Sequence, residues 1–299
     1  MPALRAIVTG GAGFIGSHLV DALVERGDEV VVVDDLSSGR RENVNPAARL
    51  EQRDIRAGFD ALGADAVFHL AAQADVQVSM RRPAHDAEVN VVGTIGVLEA
   101  AREVGAPVVF TSTGGAIYGE CDGPASEDAP RNPISPYGIA KLCGEEYVRG
   151  WGRTHGMRNV VLRLANVYGP RQGAGLEGGV VAIFLERIAR GEEAVVFGDG
   201  GQTRDFVYVG DVVRALLAAA GREGGVFNIG TGRETTVLDL HRACAGVAGV
   251  GAEPRFEAAR LGDVGRSVLD VSLAARELGW RPEVSLEEGL RLTWQSLTA

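Results

Sequence analysis

The chain carries a single lysine, Lys141, in the segment SPYGIAKLC (residues 135–143), and the other 29 of its 30 basic residues are arginine. Tyr137 precedes it by four residues, so the two side chains share one face if the segment is helical. A neighbouring ammonium lowers the pKa of a phenol from about 10, and the resulting phenolate can take a proton from an alcohol. Arginine, a wide planar fork, would not replace this compact charge. We therefore interpret Tyr137 and Lys141 as a catalytic acid–base pair.

Two hydroxyl groups are candidates for a third catalytic position. Pro136 suits the first turn of a helix that contains Tyr137. The segment VVFTST (residues 108–113) is a predicted strand that ends near this helix and brings Ser112 and Thr113 close to it. Either hydroxyl could hydrogen-bond a substrate oxygen, and the sequence leaves this choice open.

A glycine-rich turn, GGAGFIG (residues 10–16), follows the first predicted strand and opens a predicted helix. Glycines at this spacing permit a tight turn and let a pyrophosphate approach the helix N-terminus. Asp34 ends the next predicted strand, 18 residues after Gly16. A carboxylate there accepts hydrogen bonds from the adenosine ribose and repels a 2′-phosphate, which favours NAD over NADP. Asp35 is the alternative for this role, but Asp34 stands at the strand end and is preferred.

Repeated strand–helix units must position these groups. Continuous apolar runs predict strands, and the segments between them have the apolar spacing of helices. The predicted strands are RAIVTG, EVVVVD, ADAVFHLAA, APVVFTST, NVVLRLANVYG and GGVFNIGTG. This alternation predicts an α/β fold with a doubly wound, Rossmann-type parallel sheet. Ligands of such sheets bind beyond the carboxyl ends of the strands.

The pattern loosens after the fifth of these strands. We therefore predict an NAD-binding region over residues 1–165, with a returning segment near 205–230. Residues 166–204 and 231–299 are predicted to form a smaller, discontinuous substrate region that closes over the sheet.

Composition excludes several classes of function. The net charge is −10 and the pI about 5.1, which disfavours nucleic acid and anionic membranes as partners. Three cysteines without CxxC spacing and five scattered histidines predict neither a disulfide framework nor a metal site. No apolar run is long enough to span a membrane. A predicted strand from residue 4 leaves no room for a signal peptide, so we expect a cytoplasmic protein.

Several motifs, taken together, identify a family resemblance: TGGAGFIGSHL, VVVDDLSSG, HLAAQADV, SPYGIAK, NVYGPR and TRDFVYVGDV. In this order they resemble the extended short-chain dehydrogenases/reductases that act on nucleotide sugars, and most closely the UDP-glucose 4-epimerases. The likeness covers roughly residues 4 to 295. It implies NAD as cofactor, a UDP-sugar as substrate, and a homodimer formed through the helices near 92–104 and 138–155.

The resemblance also implies two sets of contact residues. The residues expected at NAD are Gly10, Gly13, Phe14, Ile15, Gly16, Asp34, Asp35, Leu36, Ser37, Ser38, Gly39, Asp54, Ile55, Leu70, Ala71, Ala72, Gln73, Asn90, Tyr137 and Lys141. The residues expected at the UDP-sugar are Thr113, Tyr137, Asn166, Val180, Val181, Val195, Phe197, Arg204, Arg260, Asp263 and Ser267. Arg204 and Arg260 would bind the diphosphate through charged hydrogen bonds, and Asp263 the uridine ribose.

The chain departs from the usual family pattern at two places. Many relatives have Ser-Ser-Ser-Ala before VYG, whereas this chain has STGGAIYG, which is one residue longer. Thr113 is the expected third catalytic hydroxyl, with Ser112 as the alternative. Near Ser267 some hexose-restricted epimerases carry a tyrosine, and the smaller serine would leave space for an N-acetyl group.

The family members catalyse several reactions, which the sequence separates in part. The 4,6-dehydratases usually carry an Asp-Glu pair just before VYG, where this chain has Gly114 to Ile117 without a carboxylate. Asp34 disfavours NADPH-dependent reductases, and an inactive NAD-binding sensor typically lacks the Tyr-Lys pair. A uronic acid substrate and a decarboxylase stay open. The expected activity is 4-epimerisation of UDP-hexoses through a transient 4-keto sugar, with Tyr137 as acid and base.

Overall fold

The structure is a computed structural model that describes residues 3–173, 179–259 and 264–299. Its described strands are β1 (Arg5–Thr9), β2 (Glu29–Asp34), β3 (Arg49–Gln52), β4 (Ala66–His69), β5 (Val108–Thr113), β6 (Val160–Leu164), β7 (Asn166–Tyr168), β8 (Val195–Phe197), β9 (Thr203–Arg204), β10 (Phe206–Tyr208), β11 (Gly225–Ile229), β12 (Thr235–Thr236), β13 (Arg255–Glu257) and β14 (Arg266–Ser267).

The described helices separate these strands along the chain. They are α1 (Phe14–Glu25), α2 (Val76–Arg81), α3 (Pro83–Ala87), α4 (Gly93–Val104), α5 (Gly114–Ile117), α6 (Pro136–His155), α7 (Val180–Ala189), α8 (Val209–Ala219), α9 (Val237–Ala248), α10 (Ser272–Glu277) and α11 (Leu286–Thr298). Short 3₁₀ turns cover Arg41–Asn43 and Ile55–Ala57, and a π-helical stretch covers Glu88–Val92.

Within the described residues, seven parallel strands form the central sheet in the order β11-β6-β5-β4-β1-β2-β3. This confirms the predicted doubly wound, Rossmann-type fold. The chain runs outward from β1 to β3 and then returns to place β4 on the other side of β1. The strand order therefore reverses between β1 and β4, and a crevice for a ligand is expected at the carboxyl ends of these two strands.

Apolar residues cover both faces of the sheet. One buried cluster packs α1 and α8 against it through side chains such as Leu19, Leu23 and Leu216. The other face buries residues of α4 and α6, among them Leu98 and Val148. Because the strands are buried on both sides, β2 and β5 read as continuous rather than alternating apolar runs.

A third buried cluster, distinct from the sheet, holds the helices of the C-terminal half. It joins α7, α9 and α11 through residues that include Phe184, Leu240 and Leu290. Short two- and three-stranded sheets accompany it, and β9 lies between β12 and β14. The division into an NAD-binding and a substrate region stays a prediction, although β11 does return to the central sheet as that division requires.

The prediction of one strand over NVVLRLANVYG is wrong. The structure divides it into β6, which pairs with β5 and β11, and β7, which pairs with β10. The break lies at Ala165, whose N–H donates to the Ile229 carbonyl, whereas the N–H of Asn166 donates to Asp205. The backbone therefore leaves the central sheet there because its hydrogen-bond partners change.

Three further properties of the described residues concern membrane-spanning helices, free thiols and metal binding. None of the helices in the described ranges is long and apolar enough to cross a membrane. Cys121, Cys143 and Cys244 are all free thiols. Among the described side chains, no group of three His, Cys, Asp or Glu is arranged to hold a metal ion.

Candidate active site

The glycine turn lies at the predicted crevice. Gly10 has a φ of +73°, a left-handed conformation that favours glycine. A Cβ on Gly10 would lie 2.6 Å from the Ala71 nitrogen, and one on Gly16 would collide with the Gly10 carbonyl oxygen. Gly13 precedes α1, whose first residues Phe14 and Ile15 are half-buried. The turn thus leaves a cradle of backbone at a helix N-terminus, which fits the pyrophosphate of NAD.

Asp34 lies at the carboxyl end of β2 and closes one side of this cradle. Its carboxylate accepts the N–H groups of Ala12 and Leu36, both at 2.9 Å. Burial raises the pKa of Asp34, and these two hydrogen bonds oppose the rise. Asp35 is exposed and binds the N–H and hydroxyl of Ser37 instead. Asp34 is therefore the better placed of the two carboxylates for the adenosine ribose.

The rest of the predicted ribose loop is short and partly solvent-accessible. Leu36 has a φ of +60°, Ser38 is exposed, and Gly39 lies against the Asp34 carboxylate. Asp54 caps a 3₁₀ turn and pairs with Arg56, which holds the pKa of the Asp54 carboxyl low. The structure thus places this loop beside the end of β2.

The segment after β4, residues 70–73, lies on the other side of the crevice. The Leu70 and Ala71 N–H groups donate to the carbonyl and hydroxyl of Thr9, at the end of β1. Ala72 is half-buried, and Ile55 packs against Gly93 under this region. The segment is therefore fixed to the strand that precedes the glycine turn.

The predicted cofactor residue Asn90 is almost completely buried and fixes the same segment. Its Oδ1 accepts the Gln73 N–H at 3.0 Å, and its Nδ2 donates to the Gln73 carbonyl at 2.9 Å. The same Nδ2 also donates to Asp86. The structure thus shows Asn90 bracing the backbone of Gln73, and a contact of its side chain with NAD stays a prediction.

Tyr137 and Lys141 lie one turn apart on α6, which confirms the helix predicted to carry them. Ser135 caps this helix by accepting the Gly138 N–H at 3.2 Å. Tyr137 is half-buried, whereas Lys141 is only 4% exposed, and its Nζ lies 4.6 Å from the centroid of the Phe110 ring. Because Phe110 belongs to β5, the helix holds the lysine directly over the strand that ends in Thr113.

Burial dominates the electrostatics of this lysine. It lowers the pKa of Lys141 from 10.5 to about 8, while the charges of Asp86 and Glu145 oppose that fall. His69, at the end of β4, lies between the hydroxyls of Thr9 and Thr94. Burial and the lysine lower the pKa of His69 to about 3, so this ring is neutral and cannot serve as a second cation.

Three predicted substrate residues converge at Gly115, on the short helix α5 that follows β5. A Cβ on Gly115 would lie 3.5 Å from Asn166 Oδ1 and 4.0 Å from both Ser267 Oγ and Thr113 Oγ1. Ser112 is buried, and its hydroxyl has no hydrogen-bond partner among the described residues. Since neighbouring strand residues point to opposite faces, Thr113 rather than Ser112 faces this polar group.

Arg204 and Ser267 are direct neighbours across two short strands. They are paired in the parallel register of β9 and β14. Asp205, which is buried, holds these strands in place by accepting N–H groups from Thr231, Gly232 and Leu269 and the hydroxyl of Thr231. The second region thus presents Arg204 and Ser267 side by side.

One other predicted substrate residue borders a cleft of about 420 Å³ next to these strands. Phe197 lines it, together with Gln202 and Gly265. Val195 precedes Phe197 on β8, Val180 is half-buried at the start of α7, and Val181 is fully buried in the core. Arg260 and Asp263 lie outside the described residues.

Sequence reasoning missed the buried charges around α6. Arg163 and Glu145 form an ion pair at 2.8 Å with side-chain exposures of 2% and 0%. Arg163 also donates to the Tyr118 hydroxyl and the Glu127 carbonyl, which ties α6 to the loop after β5. Asp86 is fully buried as well. The only available signal was spacing, because Glu145 follows Lys141 by four residues and Asp86 precedes Asn90 by four.

Comparison with known proteins gives a consistent family. The model of the NAD dependent epimerase/dehydratase family matches residues 6–230. The chain is 46% identical over 304 residues to the UDP-glucose 4-epimerase of Mycolicibacterium smegmatis, with 97% of each chain covered.

Two solved structures have the same fold over their whole length. The crystal structure of UDP-glucose 4-epimerase with UDP-glucose from Thermotoga maritima has a TM-score of 0.95 and is 50% identical, with 99% of both chains covered. The Thermus thermophilus UDP-glucose 4-epimerase in complex with NAD has a TM-score of 0.91 and is 44% identical, again with 99% of both chains covered.

Proposed function

The chain belongs to the NAD dependent epimerase/dehydratase family, and we propose that it is an NAD-dependent UDP-hexose 4-epimerase. Its substrates would be UDP-glucose and UDP-galactose, and also their N-acetyl forms. Relatives named UDP-glucose 4-epimerase match almost the entire chain, and one solved relative was crystallised with UDP-glucose and another with NAD.

The observation that carries this proposal is the position of Lys141. This lysine is 4% exposed and lies on α6, one helical turn from Tyr137 and over β5, the strand that ends in Thr113. Burial penalises the charged form of a lysine, and a lysine at the protein surface would not bear this cost. Its burial beside a tyrosine suits acid–base chemistry on an alcohol.

The chain's own groups divide the reaction between them. Tyr137 would take the proton from the sugar O4 and later return it, while Lys141 stabilises the phenolate form by its charge. Thr113 would hydrogen-bond the same oxygen. NAD, when bound, accepts a hydride from C4 and gives it back, so that the reaction is redox-neutral overall. The glycine turn and Asp34 would hold this cofactor at the carboxyl ends of β1 and β2.

Inversion at C4 requires that the 4-keto sugar turn over while the UDP stays bound. Arg204 would hold the diphosphate by charge, and the cleft beside Phe197 would receive the uracil. The sugar would occupy the space around Gly115, which the side chains of Thr113, Asn166 and Ser267 approach most closely among the described residues. This space supports acceptance of an N-acetyl group.

The test is product analysis by NMR without added cofactor. Purified protein is incubated separately with UDP-glucose, UDP-N-acetylglucosamine and UDP-glucuronate. We expect the 4-epimer of the first two, formed by NAD retained from expression, and no product from a Tyr137→Phe variant. Turnover of UDP-glucuronate alone would instead favour a uronate 4-epimerase, and release of CO₂ a decarboxylase. No turnover even after NAD is supplied would contradict the proposal.

We further propose a homodimer in the cytoplasm. Ile139 and Tyr147 on α6 and Val92 before α4 are 56%, 36% and 55% exposed, and α4 packs beside α6, so their outer faces form an apolar surface. Such a surface supports pairing of the two helices with those of a second copy. The mass in solution, measured by light scattering, should be twice that of the chain and should halve in an Ile139→Asp variant.

Three free thiols suit a reducing compartment, and cell fractionation tests the proposed location in the cytoplasm.

A further inference from the structure

We propose that Asp86 is a positioning residue whose buried carboxylate keeps the Lys141 side chain as an ammonium beside Tyr137. The proposal rests on the function proposed above. It assigns to Asp86 a role in the acid–base pair although Asp86 is expected to touch neither the sugar nor the reacting atoms.

Asp86 lies next to the helix that carries Lys141. It lies on α3, which packs against α6, and its residue exposure is 0%. One carboxylate oxygen, Oδ1, accepts Gln73 Nε2 at 2.6 Å and Asn90 Nδ2 at 3.0 Å. The other, Oδ2, is buried and has no hydrogen-bond partner among the described residues. A buried carboxylate oxygen without a donor is costly, and a nearby cation lowers that cost.

Two acidic groups, Asp86 and Glu145, act on the lysine. Glu145 lies on the same helix but is held by Arg163 through hydrogen bonds of 2.8 and 3.1 Å, so its charge is already balanced. Asp86 forms no ion pair with an arginine in the part of the chain that the structure describes. The charges of Asp86 and Glu145 oppose the fall in the pKa of Lys141, and Asp86 has the larger effect.

The other groups around the lysine do not replace this carboxylate. His69 is neutral and faces it from β4, Phe110 contributes only its ring from β5, and Tyr137 is the group to be activated. His85, next to Asp86 on α3, is half-buried. The other charged side chains on elements packed against α6 are exposed, capping or paired: Asp75, Arg81, Glu88, Glu99, Arg102, Glu103 and Arg163.

The arrangement also connects the lysine to the cofactor side of the site. Gln73 belongs to the segment after β4, and both Gln73 and Asn90 donate to the same Asp86 oxygen. The carboxylate therefore contacts that segment directly, and its charge also acts on the lysine. Its negative charge balances the one cation that the proposed reaction needs at Tyr137.

Asp86→Asn is a sharp test because it preserves shape. The amide oxygen can accept both existing hydrogen bonds, and the NH₂ group takes the place of an oxygen that has no partner. The charge is lost while the shape and both existing hydrogen bonds are kept. Glu88→Gln is the matched control, since it removes the same charge two residues later from a side chain that is 59% exposed.

The chain offers a direct readout, since Lys141 is its only lysine. Protein produced with ¹³C-lysine gives a single Cε resonance, whose shift against pH reports the ionisation of Lys141 without assignment. In NAD-loaded protein we expect the titration midpoint to fall by about one pH unit in Asp86→Asn, and to stay near the wild-type value in Glu88→Gln. The alkaline limb of the epimerisation rate should move in the same direction.

A folded Asp86→Asn variant with a wild-type midpoint would overturn the proposal. Should that variant not fold, Asp86→Glu and Asp86→Gln are compared in the same way, and equal midpoints in that pair would overturn it too. The titration needs no turnover. Failure of this inference is therefore distinct from failure of the proposed function, which would appear as a wild-type protein without 4-epimer product.

Discussion

Replacement of Lys141 by methionine should stabilise the protein while abolishing its activity. Methionine keeps the length and apolar character of the side chain but removes the ammonium. At neutral pH the wild-type fold must hold that charge with 4% exposure. The variant should therefore be more stable although it lacks the charge that the proposed mechanism requires at Tyr137.

The magnitude follows from the pKa of Lys141, which burial lowers from 10.5 to about 8. One pKa unit corresponds to about 1.4 kcal/mol, so the buried ammonium costs about 3 kcal/mol relative to a neutral side chain. This difference already includes the attraction of Asp86 and Glu145. At pH 7 we therefore expect the free energy of unfolding to be about 3 kcal/mol higher in Lys141→Met.

The sign of the pH dependence is fixed by the same shift. Below pH 8 both the folded and the unfolded chain hold the proton, and the full cost is present. Between about pH 8 and 10.5 the unfolded chain binds more protons than the folded one, so wild-type stability rises with pH. The advantage of the variant should therefore shrink to below about 1 kcal/mol at pH 10.

Urea unfolding of cofactor-free protein at pH 7 and pH 10 measures both values, and the absence of NAD removes any contribution from a contact with Lys141. Leu142→Met, a conservative exchange on the same helix, is the control and should change neither value. Retained turnover in Lys141→Met would refute the catalytic argument. A loss of stability at pH 7, or a gain that does not depend on pH, would refute the electrostatic one.

Three further predictions concern stability and the sugar site. Glu145→Gln removes the negative charge that pairs with Arg163 and leaves the Arg163 charge buried. It should lower the free energy of unfolding, measured in urea, by about 3–5 kcal/mol, and an equal loss in the exposed Glu146→Gln would contradict this. Gly115→Ala places a methyl group at ordinary contact distance among the polar side chains of the proposed sugar site. The variant should fold normally yet raise the KM for UDP-N-acetylglucosamine roughly tenfold, and an unchanged KM would contradict the assignment of the sugar to this space. His241 is buried with both ring nitrogens unpartnered among the described residues, and burial lowers its pKa. His241→Leu should raise the free energy of unfolding by about 1–2 kcal/mol at pH 8. The gain should be larger at pH 5, because at that pH the histidine of the unfolded wild-type chain gains a proton, and a smaller gain at pH 5 would contradict the lowered pKa of His241.

The sheet and the helix of the acid–base pair could be predicted because local pattern and tertiary environment agree there. The continuous apolar runs of β2 and β5 are those of strands covered on both faces, and the glycine turn has its own backbone requirement at Gly10. The break after β6 could not be predicted in this way. Ala165 and Asn166 find their hydrogen-bond partners at Ile229 and Asp205, more than 35 residues further along the chain, and local periodicity carries no information about them.

The candidate site was predictable in its chemistry but not in its surroundings. The spacing of Tyr137 and Lys141 indicates a shared helix face, but it does not reveal that the lysine is buried over Phe110. The convergence of Thr113, Asn166 and Ser267 at Gly115 likewise depends on three separate elements meeting. Their roles at the sugar stay predictions, as do those of Arg260 and Asp263.

Buried charges lie on and beside α6, but burial alone does not identify a functional group. The Arg163–Glu145 pair is buried and internally balanced, and Asp205 is buried with its hydrogen bonds satisfied, so both are explained by the fold they hold together. Lys141 differs because its charge lies one helical turn from a half-buried phenol that it can activate. A buried charge that changes the pKa of a neighbouring group has a function that accounts for it, although its burial lowers the stability of the fold. The proposed roles of Lys141 and Asp86 require such an effect on Tyr137.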